Sequence, residues 1–260
     1  MKLKKSYSPL RHCVCLLLLL SFPLFSWSSD YSTIYKQAND QYKKGQYQEA
    51  IKLYSQILNG GYQSEAVYFN LGNAYFKSGD VPSALLYYEK AHKLVPGDED
   101  VNFNIYFATS KTTDKVEPAP EFFVTQWWHS IILFFSLGTL SVLSVLCFIA
   151  GSGLLVIYLF TSAMSIKRLS FYTGTVLLFL GLVFIFISNR QVHYFNDHHQ
   201  AIIFTSPVNV RSGPGDQAGI LFVLHDGTKV NILDSNNGWI KVQLANGNEG
   251  WIQQSDIKEI

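Results

Sequence analysis

Three lysines recur at a spacing of 34 residues: Lys43, Lys77 and Lys111. Two pairs of asparagines keep the same spacing, Asn39 with Asn73 and Asn70 with Asn104. Ammonium groups and side-chain amides set out in rows suit an extended peptide or an acidic chain end, which offer carbonyl or carboxylate acceptors. A lysine near a helix C-terminus also complements the helix macrodipole, so the lysines have a purely local reading as well. A second candidate group is Asn209, Arg211, Trp239 and Trp251. Both tryptophans follow glycines, where an aromatic finishes a core or a rim as readily as it meets a ligand. A third group is His193, His198 and His199 around Asp197. Those types could ligate a metal, but no acidic residue at helical spacing supports them. A polar interfacial connector is the better reading, and no metal or cofactor is expected.

Other chemistry is poorly represented. The three cysteines, Cys13, Cys15 and Cys147, all lie in apolar runs, so the polar segments hold neither a disulfide framework nor a thiolate site. There is no phosphate-cradling glycine loop, no HExxH pattern and no nucleophile elbow. With 20 basic and 19 acidic residues, no global basic field points to nucleic acid. The expectation is a binding protein and not an enzyme.

The rows of donors need a repeating support. Lys43 to Ala50 aligns with Lys77 to Ala84, and the same offset relates Tyr42 to Phe76 and Tyr54 to Tyr88. A fixed period of this length marks stacked helix pairs. Gly45 and Gly79 stand where a first helix would end in a left-handed residue. Ala50 and Ala84 let two helices approach, the aromatics fill the space between them, and Pro96-Gly97 stops the second pair. A further helix over Glu99 to Lys111 is expected to cap the stack. These residues resemble the tetratricopeptide repeat. The second copy carries Leu71-Gly72, Tyr75, Gly79, Ala84, Tyr88, Ala91 and Pro96 in family positions, whereas the first has Gln37-Ala38 in place of Leu-Gly. The resemblance implies a domain over residues 29–115 whose first helices line a concave groove carrying the lysines. Two repeats and a cap fall near the lower limit for such a stack, so the domain is expected to lean on a partner or on the membrane.

Residues 1–28 read as a secretory signal, with Lys2, Lys4, Lys5 and Arg11 before an apolar core and Ser26-Trp27-Ser28 before the cleavage point. An uncleaved anchor is the alternative. Residues 116–128 read as a linker ending in the interfacial pair Trp127-Trp128. One helix longer than a single span is expected over 129–163, with Gly151-Ser152-Gly153 as a bend, then a turn over 164–168 and a second span over 169–188. Lys167-Arg168 should be cytoplasmic. Both soluble parts then lie on the periplasmic side of an inner membrane. Gly138, Gly151, Gly153, Gly174 and Gly181 leave room for helix packing.

After a linker over 189–200, residues 201–260 change to short alternating runs. Val230 and Ile232 share one face, as do Ile240, Val242 and Leu244; Asp226-Gly227, Asn237-Gly238 and Asn246-Gly247 mark turns. Five or six strands of this kind suggest a small closed barrel. Asn209 to Gly215, Asp226-Gly227-Thr228, Gly238-Trp239 and Gly250-Trp251-Ile252 resemble the bacterial SH3-like domain. That resemblance implies contact with cell-wall peptides through a surface such as Asn209, Arg211, Trp239 and Trp251. The segment lacks the acidic and aromatic surface with which eukaryotic relatives bind proline-rich peptides.

The fold class expected is therefore a multidomain membrane protein: an all-α repeat solenoid, two transmembrane helices and a small all-β barrel. That order of parts resembles the Bacteroides-aerotolerance E-type (BatE) proteins. The resemblance implies a non-catalytic envelope scaffold in a stress or oxygen-tolerance complex, with von Willebrand A-domain membrane proteins as partners. A cell-wall anchor, with the barrel on peptidoglycan, is the alternative.

Overall fold

A computed structural model describes residues 29–260. The signal reading, with Cys13 and Cys15, lies outside the described residues. Five helices open the chain: α1 (Ser29–Lys43), α2 (Tyr47–Asn59), α3 (Glu65–Ser78), α4 (Val81–Leu94) and α5 (Glu99–Thr109). The local signals place their ends. Ser64, Asp80 and Asp98 accept from the main-chain N–H three residues on, at 3.3, 3.0 and 2.9 Å. Gly45 and Gly79 take left-handed φ values of 76° and 91°. Ala50 and Ala84 are fully buried beside Tyr54 and Tyr88. Gly72 admits the Tyr88 ring so closely that an added β-carbon would stand 2.6 Å from it. The cap α5 ends at Thr109, with Ser110 closing it, so Lys111 falls just beyond the helix.

The long apolar run is two helices and not one. A short helix α6 (Phe123–Ile132) takes part of the expected linker, and α7 (Leu137–Phe160) begins after four intervening residues. The break has a local cause: Ser136 caps α7 by accepting from the Thr139 N–H at 3.1 Å. Gln191 donates to the Phe135 carbonyl at 2.9 Å and holds the loop. No bend occurs at Gly151-Ser152-Gly153, because α7 is continuous there. The turn between spans is Thr161–Ala163, and α8 (Met164–Asp197) then runs for 34 residues. Lys167-Arg168 is thus helical, as is most of the expected 189–200 linker.

α7 and α8 are long and apolar enough to cross a membrane. At 1.5 Å per residue the 24 residues of α7 reach about 36 Å, against a bilayer core of about 30 Å. They pack antiparallel through small residues. A β-carbon on Gly151 would lie 3.0 Å from the Gly174 carbonyl, and one on Gly181 would lie 2.9 Å from the Phe148 ring. Ser144 donates to the Gly181 carbonyl at 3.2 Å. Gly138 and Gly153 take no part in this contact. An antiparallel pair returns the chain to the end it left, so the repeats and the barrel lie at the same end of the helical hairpin.

The barrel has seven strands: β1 (Gln200–Ile203), β2 (Val208–Arg211), β3 (Ile220–Leu224), β4 (Lys229–Asn236), β5 (Trp239–Gln243), β6 (Glu249–Gln253) and β7 (Ile257–Glu259). All pairings are antiparallel, in the order β3-β2-β6-β5-β4-β1-β7. Val230, Ile240, Val242, Leu244 and Ile252 fill its core with Val208 and Val210. The β4–β5 turn uses Asn237 and Gly238, both at positive φ, as the right-handed twist of a two-residue hairpin requires.

The barrel does not hang free. Ile202 and Phe204 join the cluster formed by Ala84, Leu85, Leu86, Tyr88 and Ala108. Burying one such aliphatic side chain is worth about 1.5–3 kcal/mol. The barrel of the same chain thus adds apolar support to a short solenoid. Lys229 pairs at 2.7 Å with Glu89, which is only 5% exposed. Asp114 receives three donors from the barrel: the His225 N–H and the Thr228 hydroxyl at 2.7 Å, and the His225 ring at 2.8 Å. Gly227 has φ 83°, and a β-carbon there would lie 2.7 Å from the Thr112 methyl. The preceding linker is likewise held, since Val116 packs on the barrel core and the Ala119 N–H donates to the Ala245 carbonyl at 2.8 Å.

Burial opposes the charge on Asp114, but the donors from His225 and Thr228 outweigh it and lower its pKa. A depressed carboxylate stabilises the fold above its unfolded value of about 3.9 and loses that contribution as pH falls further. His92 is also lowered, chiefly by burial, so its contribution fades as pH falls through about 6.5. Acid is expected to loosen the head first at His92 and then at Asp114, with a stability profile flattened below pH 4 in Asp114→Ala. The same substitution should lower stability at neutral pH by at least about 2 kcal/mol and speed amide exchange at His225. Unchanged exchange would show that the seam does not depend on this carboxylate.

Candidate functional site

The repeat face holds the first set of candidates. Lys43 is the last residue of α1, and Lys77 lies in the last turn of α3; both are exposed. Lys111 is exposed too, with its ammonium 5.0 Å above the Phe107 ring. The asparagines are brought together in a ladder across neighbouring first helices. Asn70 Nδ2 donates to Asn39 Oδ1 at 3.3 Å, and Asn104 Nδ2 donates to Asn73 Oδ1 at 2.9 Å. Each acceptor also takes a tyrosine hydroxyl from the second helix of its own repeat, Tyr54 on Asn39 and Tyr88 on Asn73. Asn70 reaches Tyr35 as well, at 2.7 Å. The amides thus set the register between repeats, and burial raises the pKa of both Tyr54 and Tyr88. The ladder leaves Nδ2 of Asn39 and Asn73 as the donors not engaged within it.

The end of the stack adds a feature the sequence reading passed over. α5 has no second helix of its own, and Phe103, Tyr106 and Phe107 are exposed along it. Tyr106 stands 34 residues beyond Gly72, at the position where a second helix would otherwise press. The 34-residue alignment, extended one step further, carries this signal.

In the barrel, Asn209, Arg211 and Trp239 line one cleft of about 190 Å³ with Asp216, Gln253 and Asp256. Trp251 pairs with Arg211 across β2 and β6 but does not line it. Arg211 has a structural duty: its Nη1 donates to the Asp216 and Ala218 carbonyls, both at 2.8 Å, and ties down the loop after β2. The cleft sets two aspartates beside an indole. Asp216 and Asp256 are 40 residues apart and meet Trp239 only once the strands are assembled in the sheet. Two carboxylates beside an indole suit a ligand with an ammonium group.

The histidines after the second span do not converge. His198 Nδ1 donates to the Tyr194 carbonyl at 2.7 Å, within one helix end. His193 and His199 are exposed, and among the described residues no group of three metal-ligating side chains stands together. The segment is nonetheless fixed, since Phe195 meets the His92 ring and the Ile232 N–H donates to the His199 carbonyl at 2.7 Å.

Comparison with known proteins bears on both soluble parts. Residues 35–99 match the tetratricopeptide repeat, and residues 206–258 match the bacterial SH3 domain. A comparison with curated proteins returns no match. Among solved structures, the chain is similar to the C-terminal SH3 domain of myosin IB from Entamoeba histolytica. That likeness is at 30% identity over 24% of this chain and 93% of the other, with a TM-score of 0.19. A TPR repeats protein from Bacteroides fragilis is similar at 13% identity over 72% of this chain and 84% of its own, with a TM-score of 0.29. The repeat and SH3 families are interaction modules, so the repeat face and the barrel cleft belong to parts whose general work is binding.

The ladder gives a test of its own. Asn73→Ala leaves the buried Tyr88 hydroxyl without its acceptor and should cost about 1–3 kcal/mol. Asn73→Asp keeps an acceptor for Tyr88 and Asn104 and should cost less. Unfolding midpoints of the full chain in detergent, followed by helical circular dichroism, rank the two. Equal loss would mean that the side chain acts by volume and not as an acceptor.

Proposed function

We propose that the protein is a non-catalytic scaffold of the bacterial inner membrane, which gathers envelope proteins through the first-helix face of its repeats. The observation that carries this reading is the way the barrel is seated. It packs on α4 and on the segment after α5, by Ile202, Lys229 and the donors to Asp114. The contacts described leave the C-terminal turns of α1 and α3, with Lys43 and Lys77, facing solvent. The exposed aromatics of α5 adjoin that face and give a partner an apolar anchor. Lys167 and Arg168 near the turn between spans favour a cytoplasmic turn and periplasmic soluble domains. The order of parts supports the Bacteroides-aerotolerance E-type reading, with von Willebrand A-domain membrane proteins as partners and a stress-related complex as the setting.

A second reading rests on the barrel cleft. Asp216, Asp256 and Trp239 suit the free amine and apolar stem of a cell-wall peptide, which would make the protein a wall anchor with the repeats as recruiting arm.

The two readings separate by experiment. Full-length protein taken from mildly solubilised membranes is expected to carry von Willebrand A membrane proteins. The combined change of Lys43→Glu, Lys77→Glu and Lys111→Glu should strip them while leaving the melting temperature unchanged. Capture that survives the triple change would remove the lysine face from the scaffold reading. Sedimentation with purified cell wall that is lost in Asp256→Asn together with Trp239→Ala would favour the anchor.

A further inference from the structure

The largest cleft described lies in neither candidate site. It has a volume of about 420 Å³ and sits where the repeat domain meets the outer ends of the two spans. The repeat side carries the basic groups, Lys90 and Lys93 of α4 with Gln63, beside Tyr68 and Leu94. The membrane helices contribute a mainly apolar side, with Leu137 at the start of α7 and Val192 and Phe195 near the end of α8, where Asn196 is its one amide. No Asp or Glu side chain lines it. Glu89, the nearest acidic residue on α4, is committed to Lys229. Lys93 donates to the main-chain oxygen of Ile260 at 3.4 Å, a long bond that leaves its other N–H groups available. Lys90 has no hydrogen-bond or ion-pair partner among the described residues.

The level of the cleft says what it can meet. Leu137 follows directly on the cap of the first span, and Val192 lies one turn past the end of the uncharged run closed by Ser188. Both therefore stand at the water-facing edge of the bilayer, where phosphate groups of lipids reside. α6 marks the same level, with Phe122 just before it and Phe123 and Trp127 within it exposed in the manner of an interfacial aromatic belt.

We infer that this cleft seats the head group of an anionic phospholipid, with the phosphate between Lys90 and Lys93 and the first acyl carbons along Leu137 and Val192. Two ammonium groups on one wall and a hydrocarbon surface on the other match an amphiphile and not a free anion. Burial and the neighbouring Lys93 lower the pKa of Lys90, a tension that a bound anion relieves. The site is distinct from the first-helix face and from the barrel cleft, so it stands or falls independently of both. A lipid there would bridge the repeats to the spans.

The test uses the full-length protein in a neutral detergent and native mass spectrometry with added phosphatidylglycerol. Tight retention of one such lipid is expected, with phosphatidylcholine held much more weakly. Lys90→Gln with Lys93→Gln should weaken retention about thirtyfold, from the usual contribution of two basic residues at a membrane surface. Lys90→Arg with Lys93→Arg should restore it, which separates lost charge from lost folding. Equal retention by wild type and the Gln pair, or equal retention of phosphatidylcholine, would overturn the inference. Displacement of the lipid by glycerol phosphate or inorganic phosphate at matched concentration would overturn it as well, because the ligand would then be the anion alone.

Discussion

Asp114 draws three donors of the barrel onto one carboxylate, and much of the molecule's arrangement hangs on that contact. It lies between the last repeat helix and the first membrane-facing segment, so it ties the barrel to the repeats at the point where the chain turns towards the bilayer. Beside it, Ile202 enters the repeat core and Lys229 reaches Glu89. The charged contacts need the dry aliphatic patch around them. A buried ion pair without good packing returns little, while the apolar contact alone would not fix an orientation. Together they convert two small modules, each with a thin core, into one head with a shared core.

The spans make that seam reachable. Small residues on α7 and α8 let the two backbones approach, and the antiparallel hairpin returns the chain to the side it started from. α8 then continues well beyond membrane length and delivers β1 directly beneath α4. Capping by Ser136 and the grip of Gln191 on Phe135 set where α7 begins. Gly97 allows the repeats to rest on the same loop, since it packs against the Phe134 carbonyl with no room for a β-carbon.

Much of this was legible in the sequence. The 34-residue period, the glycines at helix ends and the alternation of the last sixty residues rest on local rules, and the helices, turns and barrel core follow them. What escaped the reading was mostly set by distance along the chain. The seam joins Asp114 to residues more than a hundred positions away, and the acidic cleft joins Asp216 to Asp256 through the assembly of the sheet. The asparagine rows were visible as a pattern, yet their mutual hydrogen bonds need the helix spacing. Breaks in the apolar stretch were missed for a different reason: hydropathy reports how much of the chain is apolar, and only the Ser136 cap reports where a helix starts.

The unbroken course of α8 has a mechanical consequence. A straight helix of 34 residues is a strut of about 51 Å, and a tilt of 10° at its inner end would swing the outer end by about 9 Å. Here the strut is braced. Its outer end carries the barrel, the barrel is bolted to the repeats, and the repeats rest on the loop that opens α7, which closes a rigid triangle. The spans therefore cannot lean without carrying the whole head along. On the proposed reading, a protein that gripped the first-helix face would be held at a fixed height and heading relative to the two helices, as a tool is held in a vice.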